Sequence, residues 1–181
     1  MQRVIFLTTN PGKHAEIEAL LAREAGVEVE RRTETLPVPP SVIPADVARF
    51  RAIEAYRALG VPVFAEALAI ELADGMVSGS SYRQAFEQPG GSSWLKKHDG
   101  AVGIAHIAVG YSSDGVEARV FSGAIKGTLR ATPRGRGNAA WERCWIPEGR
   151  EQTFAELSSA EELRNGPYLA LAKFLRSSGN R

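Results

Sequence analysis

The stretch that decides the fold is Val4-Ile5-Phe6-Leu7-Thr8-Thr9-Asn10-Pro11-Gly12-Lys13. Four consecutive apolar residues predict a short strand buried on both faces. Thr8–Gly12 is turn chemistry, and a helix is expected to start near Lys13. Ile17, Leu20, Leu21 and Ala25 then fall at i, i+3, i+4 and i+8, which gives one apolar stripe, and Gly26 closes it. Val27–Arg31 reads as a second strand. Leu36–Pro44 carries prolines at 37, 39, 40 and 44 and reads as an irregular loop. Ala45–Leu59 reads as a second helix with Asp46 in its first turn and Gly60 after its end. Val61–Ala65 is another buried strand.

Beyond it, Asp74–Gly91 is rich in Gly, Ser and Gln and reads as an excursion with weak structure. A short helix is expected over Ser93–His98. Gly103–Tyr111 and Val116–Lys126, joined through Asp114-Gly115, read as a β-hairpin. Thr132–Asn138 reads as a basic, Gly-rich loop and Trp141–Ile146 as a short strand. Ser158–Ser177 has a helical pattern interrupted at Gly166-Pro167, where Pro167 is suited to open a fresh helix. The order β-α-β-α-β, hairpin, helix predicts an α/β domain with a mixed sheet.

Composition narrows the function classes. With 181 residues the chain suits one domain, and 44% of the AVILMFWYC set with 24% charged residues is ordinary for a globular protein. Lys+Arg is 22 and Asp+Glu is 21, for a formal net charge of +1, which gives no support to a general nucleic-acid or membrane-surface binder. A lone cysteine, Cys144, excludes an internal disulfide and any multi-Cys zinc cage, and it reads as a core residue. The apolar runs are too short to span a bilayer. No signal peptide is read at the N-terminus, so a soluble, cytoplasmic protein is expected.

Three constellations bear chemistry. A turn such as Thr8–Lys13, between a buried strand and a helix, presents backbone N–H groups, hydroxyls, an amide and a Lys, which suits phosphate. It is equally an ordinary capped βα turn, and it lacks Walker A spacing. Arg130, Arg134 and Arg136 are either a phosphate clamp or a solvated loop. Glu66, Glu71 and Asp74 are acids of the kind that hold Mg²⁺ beside phosphates, or simply solvated. His14, His98 and His106 have no metal-ligand spacing, and His106 reads as a satisfied, partly buried strand residue.

Together these pieces resemble the inosine-triphosphatase (ITPase) type of nucleoside-triphosphate pyrophosphatase. Thr8-Thr9-Asn10-Pro11-Gly12-Lys13 with Glu16 resembles the family's T-x-N-x-x-K-x-x-E start. Val61–Glu66 resembles the strand leading to its acidic motif. Phe121-Ser122-Gly123, Gly127 and Pro133-Arg134-Gly135 resemble its F-x-G-x-x-x-G and P-R-G run. Pro147, Gly149 and Thr153–Leu157 resemble P-x-G-x-x-x-T-F-A-E-L. The resemblance implies an ITPase-like (Maf-type) α/β fold: an elongated mixed sheet flanked by helices, in one domain spanning 1–181, with two lobes around a central cleft, usually as a homodimer. It implies hydrolysis of non-canonical purine NTP to NMP and pyrophosphate with Mg²⁺. Thr8, Asn10, Lys13, Arg134, Trp141 and Glu142 would bind the nucleotide, Trp141 by stacking on the base. Lys13 and Glu66 would serve catalysis, and Glu66 would be the metal ligand.

The departures fall on the chemistry rather than the scaffold. Val38 follows Leu36-Pro37 where the family carries a metal-binding Glu. Ala67 follows Glu66 where a second acid is expected, and Leu68 and Ala69 follow in turn. The base-recognition segment becomes Asn138-Ala139-Ala140-Trp141-Glu142. The S-H-R segment is replaced by Asn165-Gly166-Pro167-Tyr168. The expectation is therefore a diverged member that binds a nucleotide or other phosphate-bearing ligand, with pyrophosphatase activity impaired or lost. The alternatives are an active Mg²⁺-dependent enzyme in which Glu71, Asp74 or Glu34 completes the acid set, an enzyme repurposed for another substrate, and a scaffold with no ligand.

Overall fold

A computed structural model describes residues 2–37, 39–87, 92–157 and 165–178. The strand expected from Val4–Leu7 is β1 (Arg3–Leu7). Its alternate residues enter different clusters. Val4 and Phe6 pack with Ile17, Leu21 and Phe64, whereas Ile5 and Leu7 pack with Ala55, Val63 and Ala65. Burial on both faces explains the continuous apolar run.

Helix α1 (Pro11–Ala25) starts two residues before Lys13, with Pro11 in its first turn and Asn10 as its cap; Gly26 closes it in the left-handed region at φ 66°. The predicted stripe is the buried one: Ile17, Leu20 and Leu21. β2 (Glu28–Arg32) follows, then α2 (Pro44–Leu59) and β3 (Val63–Leu72). β3 runs well beyond Ala65 because Ala65, Ala67 and Ala69 continue a buried alternation.

Two sequence expectations are corrected in the middle of the chain. The Asp74–Gly91 segment contains β4 (Gly75–Ser78) and α3 (Gly79–Phe86). Ser81 Oγ accepts from Ser78 N–H at the start of α3, and Tyr82 and Phe86, four apart on that helix, stack at 4.9 Å between ring centroids. The polar composition hid that pair; residues 88–91 lie outside the described residues. Trp141–Ile146 is not one strand. A 3₁₀ turn over Ala140–Arg143 precedes β7 (Trp145–Pro147), because Cys144 N–H donates back to Trp141 O at 2.9 Å.

The remaining elements are α4 (Ser93–Lys97), β5 (Val102–Ser112), β6 (Arg119–Leu129) and α5 (Gly166–Ser178). In the β5–β6 connection Gly115 has φ 72°, and Asp114 Oδ1 accepts from Val116 and Glu117 N–H at 2.8 and 2.9 Å. The second strand therefore begins at Arg119, not Val116. α5 starts at Gly166-Pro167, as the proline suggests, while the helical pattern read from 158 to 164 lies outside the described residues.

Among the described residues the strands form one mixed seven-stranded sheet in the order β2-β1-β3-β5-β6-β7, with β4 paired to β3. β1 is parallel to both β2 and β3, whereas β3–β4 and β6–β7 are antiparallel. No helix among them is long and apolar enough to cross a membrane.

The chain divides into two compact units. The first comprises Met1–Ala67, Ile107–Gly123 and Asn165–Arg181. Its core holds Phe6 stacked on Phe64 with Tyr168 edge-on to both. The second comprises Leu68–His106 and Ala124–Arg164 and buries Ile70, Leu95, Leu129, Trp145 and Phe154. Cys144 is buried there, as expected, and loss of hydration pushes its thiol up to about 11. Because the thiolate is the reactive form, native protein at about pH 8 is expected to resist iodoacetamide, with full alkylation only in urea. Mass spectrometry of both samples checks this, and rapid stoichiometric labelling of the native protein would contradict the burial.

Candidate functional site

In the first unit the register of β1 and β3 positions the site. Leu7 lies opposite Ala65 in a parallel pair, so Thr8, just past the end of β1, comes level with Glu66 inside β3. β1 also lies between β2 and β3 in the sheet.

The turn is tied to itself before it can serve a ligand. Asn10 N–H donates to Thr8 Oγ1 at 3.1 Å, and Lys13 N–H donates to Asn10 Oδ1 at 3.0 Å. Asn10 is thus the helix cap, and the amide expected to face a phosphate has a structural task. Lys13 is only 7% exposed. Its ammonium group donates to Glu66 Oε1, and the Tyr168 hydroxyl donates to Glu66 Oε2. Arg51, from α2, donates through Nη1 to the Glu66 carbonyl at 3.3 Å. Burial lowers the Arg51 guanidinium from its ordinary value, and the Glu66 charge opposes that shift.

Thr8, Asn10, Lys13 and Glu66 therefore come together as the sequence suggests, and Arg51 and Tyr168 join them unannounced. Tyr168 had one signal. It opens the stripe Tyr168, Leu171, Ala172, Leu175 of α5, and a buried phenol needs a partner for its hydroxyl. Arg51 had none beyond its charge in a helix with an otherwise small buried face, Ala48, Ala52 and Ala55. Within the window that replaces S-H-R, Asn165 is 2% exposed and donates through Nδ2 to Glu16 Oε1 at 3.0 Å. Its Oδ1 is buried without a partner.

The described residues do not fit a magnesium site. Mg²⁺ needs near-octahedral oxygen ligands, and both Glu66 oxygens already accept from Lys13 and Tyr168. Ala67 is buried among Ala48 and Ala108 and offers no ligand atom. Val38 lies outside the described residues. Of the three acids considered as replacements, Glu34 is exposed in the chain after β2, and the other two are engaged elsewhere. Glu71 Oε2 lies 2.6 Å from His106 Nε2, and Asp74 Oδ2 lies 2.8 Å from His98 Nε2. The His98 hydrogen bond holds the Asp74 carboxyl below the usual carboxylate range. Among the described residues no three His, Cys, Asp or Glu side chains converge.

The other candidates belong to the second unit, where each has partners of its own. Arg134 Nη2 donates to Glu151 O at 2.9 Å and lies 3.4 Å from Glu156 Oε2, while Arg134 O accepts from Thr153 Oγ1 at 3.1 Å. Glu156 accepts from Thr153 N–H, the main reason its carboxyl lies below its ordinary value. Gly135 has φ 78°, and a Cβ there would sit 2.6 Å from the Ala155 carbonyl. The P-R-G loop and the T-F-A-E-L turn are thus joined, and Arg134 staples them rather than standing as an unengaged phosphate clamp. Trp141 is 1% exposed, with its ring edge-on to Phe154 at 5.2 Å, so it offers no open face for base stacking. Glu142 is buried too, its Oε2 accepting from Ala139 N–H at 3.3 Å. His106, paired with Glu71, is the satisfied strand histidine expected.

A parallel βαβ start with a lysine-bearing capped turn after its first strand defines an α/β protein. The sequence pattern of the Ham1 family matches residues 4–165, and the chain belongs to that family. It is 34% identical over 167 residues to the dITP/XTP pyrophosphatase of Methanopyrus kandleri, across 90% of this chain and 88% of that protein. It is 31% identical over 170 residues to inosine triphosphate pyrophosphatase 1 of Trypanosoma cruzi, across 91% and 86%. The fold is similar to that of a HAM1 protein from Coxiella burnetii, with a TM-score of 0.76 over 98% of this chain and 100% of that one at 16% identity.

Proposed function

We propose that this chain binds a nucleotide or another phosphate-bearing small molecule at the Thr8–Lys13 turn, and that its release of pyrophosphate from nucleoside triphosphates is impaired or lost. The observation that carries the reading is the state of Glu66. Its carboxylate is held by Lys13 and Tyr168, next to an alanine where a second acid is expected. Lys13 and Arg51 supply positive charge for a phosphate group, and the α1 N-terminus adds its dipole. Among the described residues no water-activating base accompanies them. Loss of such a base or of a metal lowers rate by about 10²–10⁴-fold. We further take the protein to act as a cytoplasmic homodimer.

A second reading, an active Mg²⁺-dependent pyrophosphatase, is favoured by the 34% identity to a dITP/XTP pyrophosphatase and by the presence of Lys13 and Glu66. Pyrophosphate release from dITP, XTP, ITP and ATP with Mg²⁺, measured beside the Methanopyrus kandleri enzyme, separates the two. The expected rate is at least about 100-fold lower. Comparable turnover, abolished by Glu66→Gln, would overturn the proposal in favour of the second reading.

A further inference from the structure

We infer that Tyr168 takes the place of a divalent cation at Glu66, so that the chain binds its phosphate-bearing ligand as the metal-free anion. This rests on the reading above that the Thr8–Lys13 turn is the ligand site.

The phenol is not free to withdraw. Tyr168 is fully buried in the first turn of α5, with its ring edge-on to Phe6 and Phe64 at centroid distances of 6.1 and 6.3 Å. That wedge aims the hydroxyl at Glu66 Oε2, while Lys13, buried at the start of α1, holds Oε1. A cation entering at Oε2 would meet the phenolic oxygen inside the space its own water ligands require. Tyr168 could clear that space only by disturbing the Phe6–Phe64 stack.

Charge points the same way. Lys13 donates to the Glu66 carboxylate, Arg51 donates to the Glu66 backbone carbonyl, and Tyr168 adds a neutral donor to the carboxylate. The cations Lys13 and Arg51 attract an anion, and burial strengthens that attraction. Free Mg²⁺ would also compete by complexing the polyphosphate itself. The ligand class is therefore an uncomplexed phosphate ester or pyrophosphate.

Isothermal titration of the full chain with inorganic pyrophosphate, and separately with dITP, in EDTA and in excess Mg²⁺ tests this. Binding is expected in EDTA, with Mg²⁺ tightening it by less than about threefold or weakening it. Binding that needs Mg²⁺, or tightens beyond that, overturns the inference and leaves the ligand site standing. No binding of either probe under either condition overturns the ligand-site reading, and the inference with it. Tyr168→Phe keeps the ring and frees Oε2. In that variant Mg²⁺ is expected to tighten binding by about tenfold. A folded Tyr168→Phe protein as indifferent to Mg²⁺ as the parent would show that the hydroxyl is not what excludes the ion.

Discussion

Lys13→Met is expected to lower stability by about 3 kcal/mol, the low end of the range for stranding one member of a buried ion pair. Lys13 and Glu66 have side chains only 9% and 14% exposed, so Glu66 would keep its charge in a poorly hydrated place. Tyr168 and Arg51 remain beside it, which is why the low end applies. The paired change Lys13→Met with Glu66→Gln removes the stranded charge. It is expected to be less destabilising than the two single losses added together by about 1–3 kcal/mol. Urea denaturation of the four proteins supplies the cycle. Strict additivity would mean that the ion pair does not form in solution. The same Lys13→Met protein should lose the rise in melting temperature that dITP gives the parent, because a ligand stabilises only as far as it binds the folded state. Retention of that rise would place the phosphate site elsewhere.

Gly110→Ala is expected to be as damaging, by about 3 kcal/mol or about 6–12 °C in melting temperature. Gly110 lies in β5 directly against α2. An added Cβ would sit 2.2 Å from the Ala48 carbonyl oxygen and 2.5 Å from its carbon. Both are backbone atoms inside a helix, so no side-chain rotation relieves the clash, and strand and helix must part. Ala48 carries only a methyl group on the buried face of α2, which permits this approach. Gly166→Ala is the control, because nothing lies within 4 Å of the position its Cβ would take; it should change stability by no more than about 0.5 kcal/mol. Equal effects at the two positions would contradict the close approach of β5 to α2.

The two variants also show what could be read ahead of the coordinates. Lys13 stands out in the primary structure because Pro11 and Gly12 precede it at the mouth of a helix. Gly110 does not stand out, because Val109-Gly110-Tyr111 reads as a slightly weakened strand whatever lies across from it. α1 was legible from its apolar stripe and closing Gly26, α2 from Asp46 in its first turn and Gly60 after its end, and β1 from four consecutive apolar residues. α3 was missed because its stacked pair, Tyr82 and Phe86, sits among serines and a glutamine that dilute the pattern. β7 was misplaced because Trp141 looks the same to a periodicity argument whether it lies in a strand or in a 3₁₀ turn.

The site divides along the same line. The buried strand, the capped turn, Lys13 and the missing acids beside Glu66 are properties of contiguous residues, and the family follows from their order along the chain. The partners of Glu66 are not. Lys13 is 53 residues away and Tyr168 is 102 residues away, and no local rule links such positions. Only the packing of α1 and α5 with β3 places an ammonium and a phenol on one carboxylate. The same holds for Trp141 and Arg134, whose residue types suggest a base platform and a phosphate clamp. Their surroundings, Phe154 for one and Glu151 with Glu156 for the other, make them core and staple. A side chain's chemistry is written in its type, but its availability depends on neighbours that burial brings from distant parts of the chain.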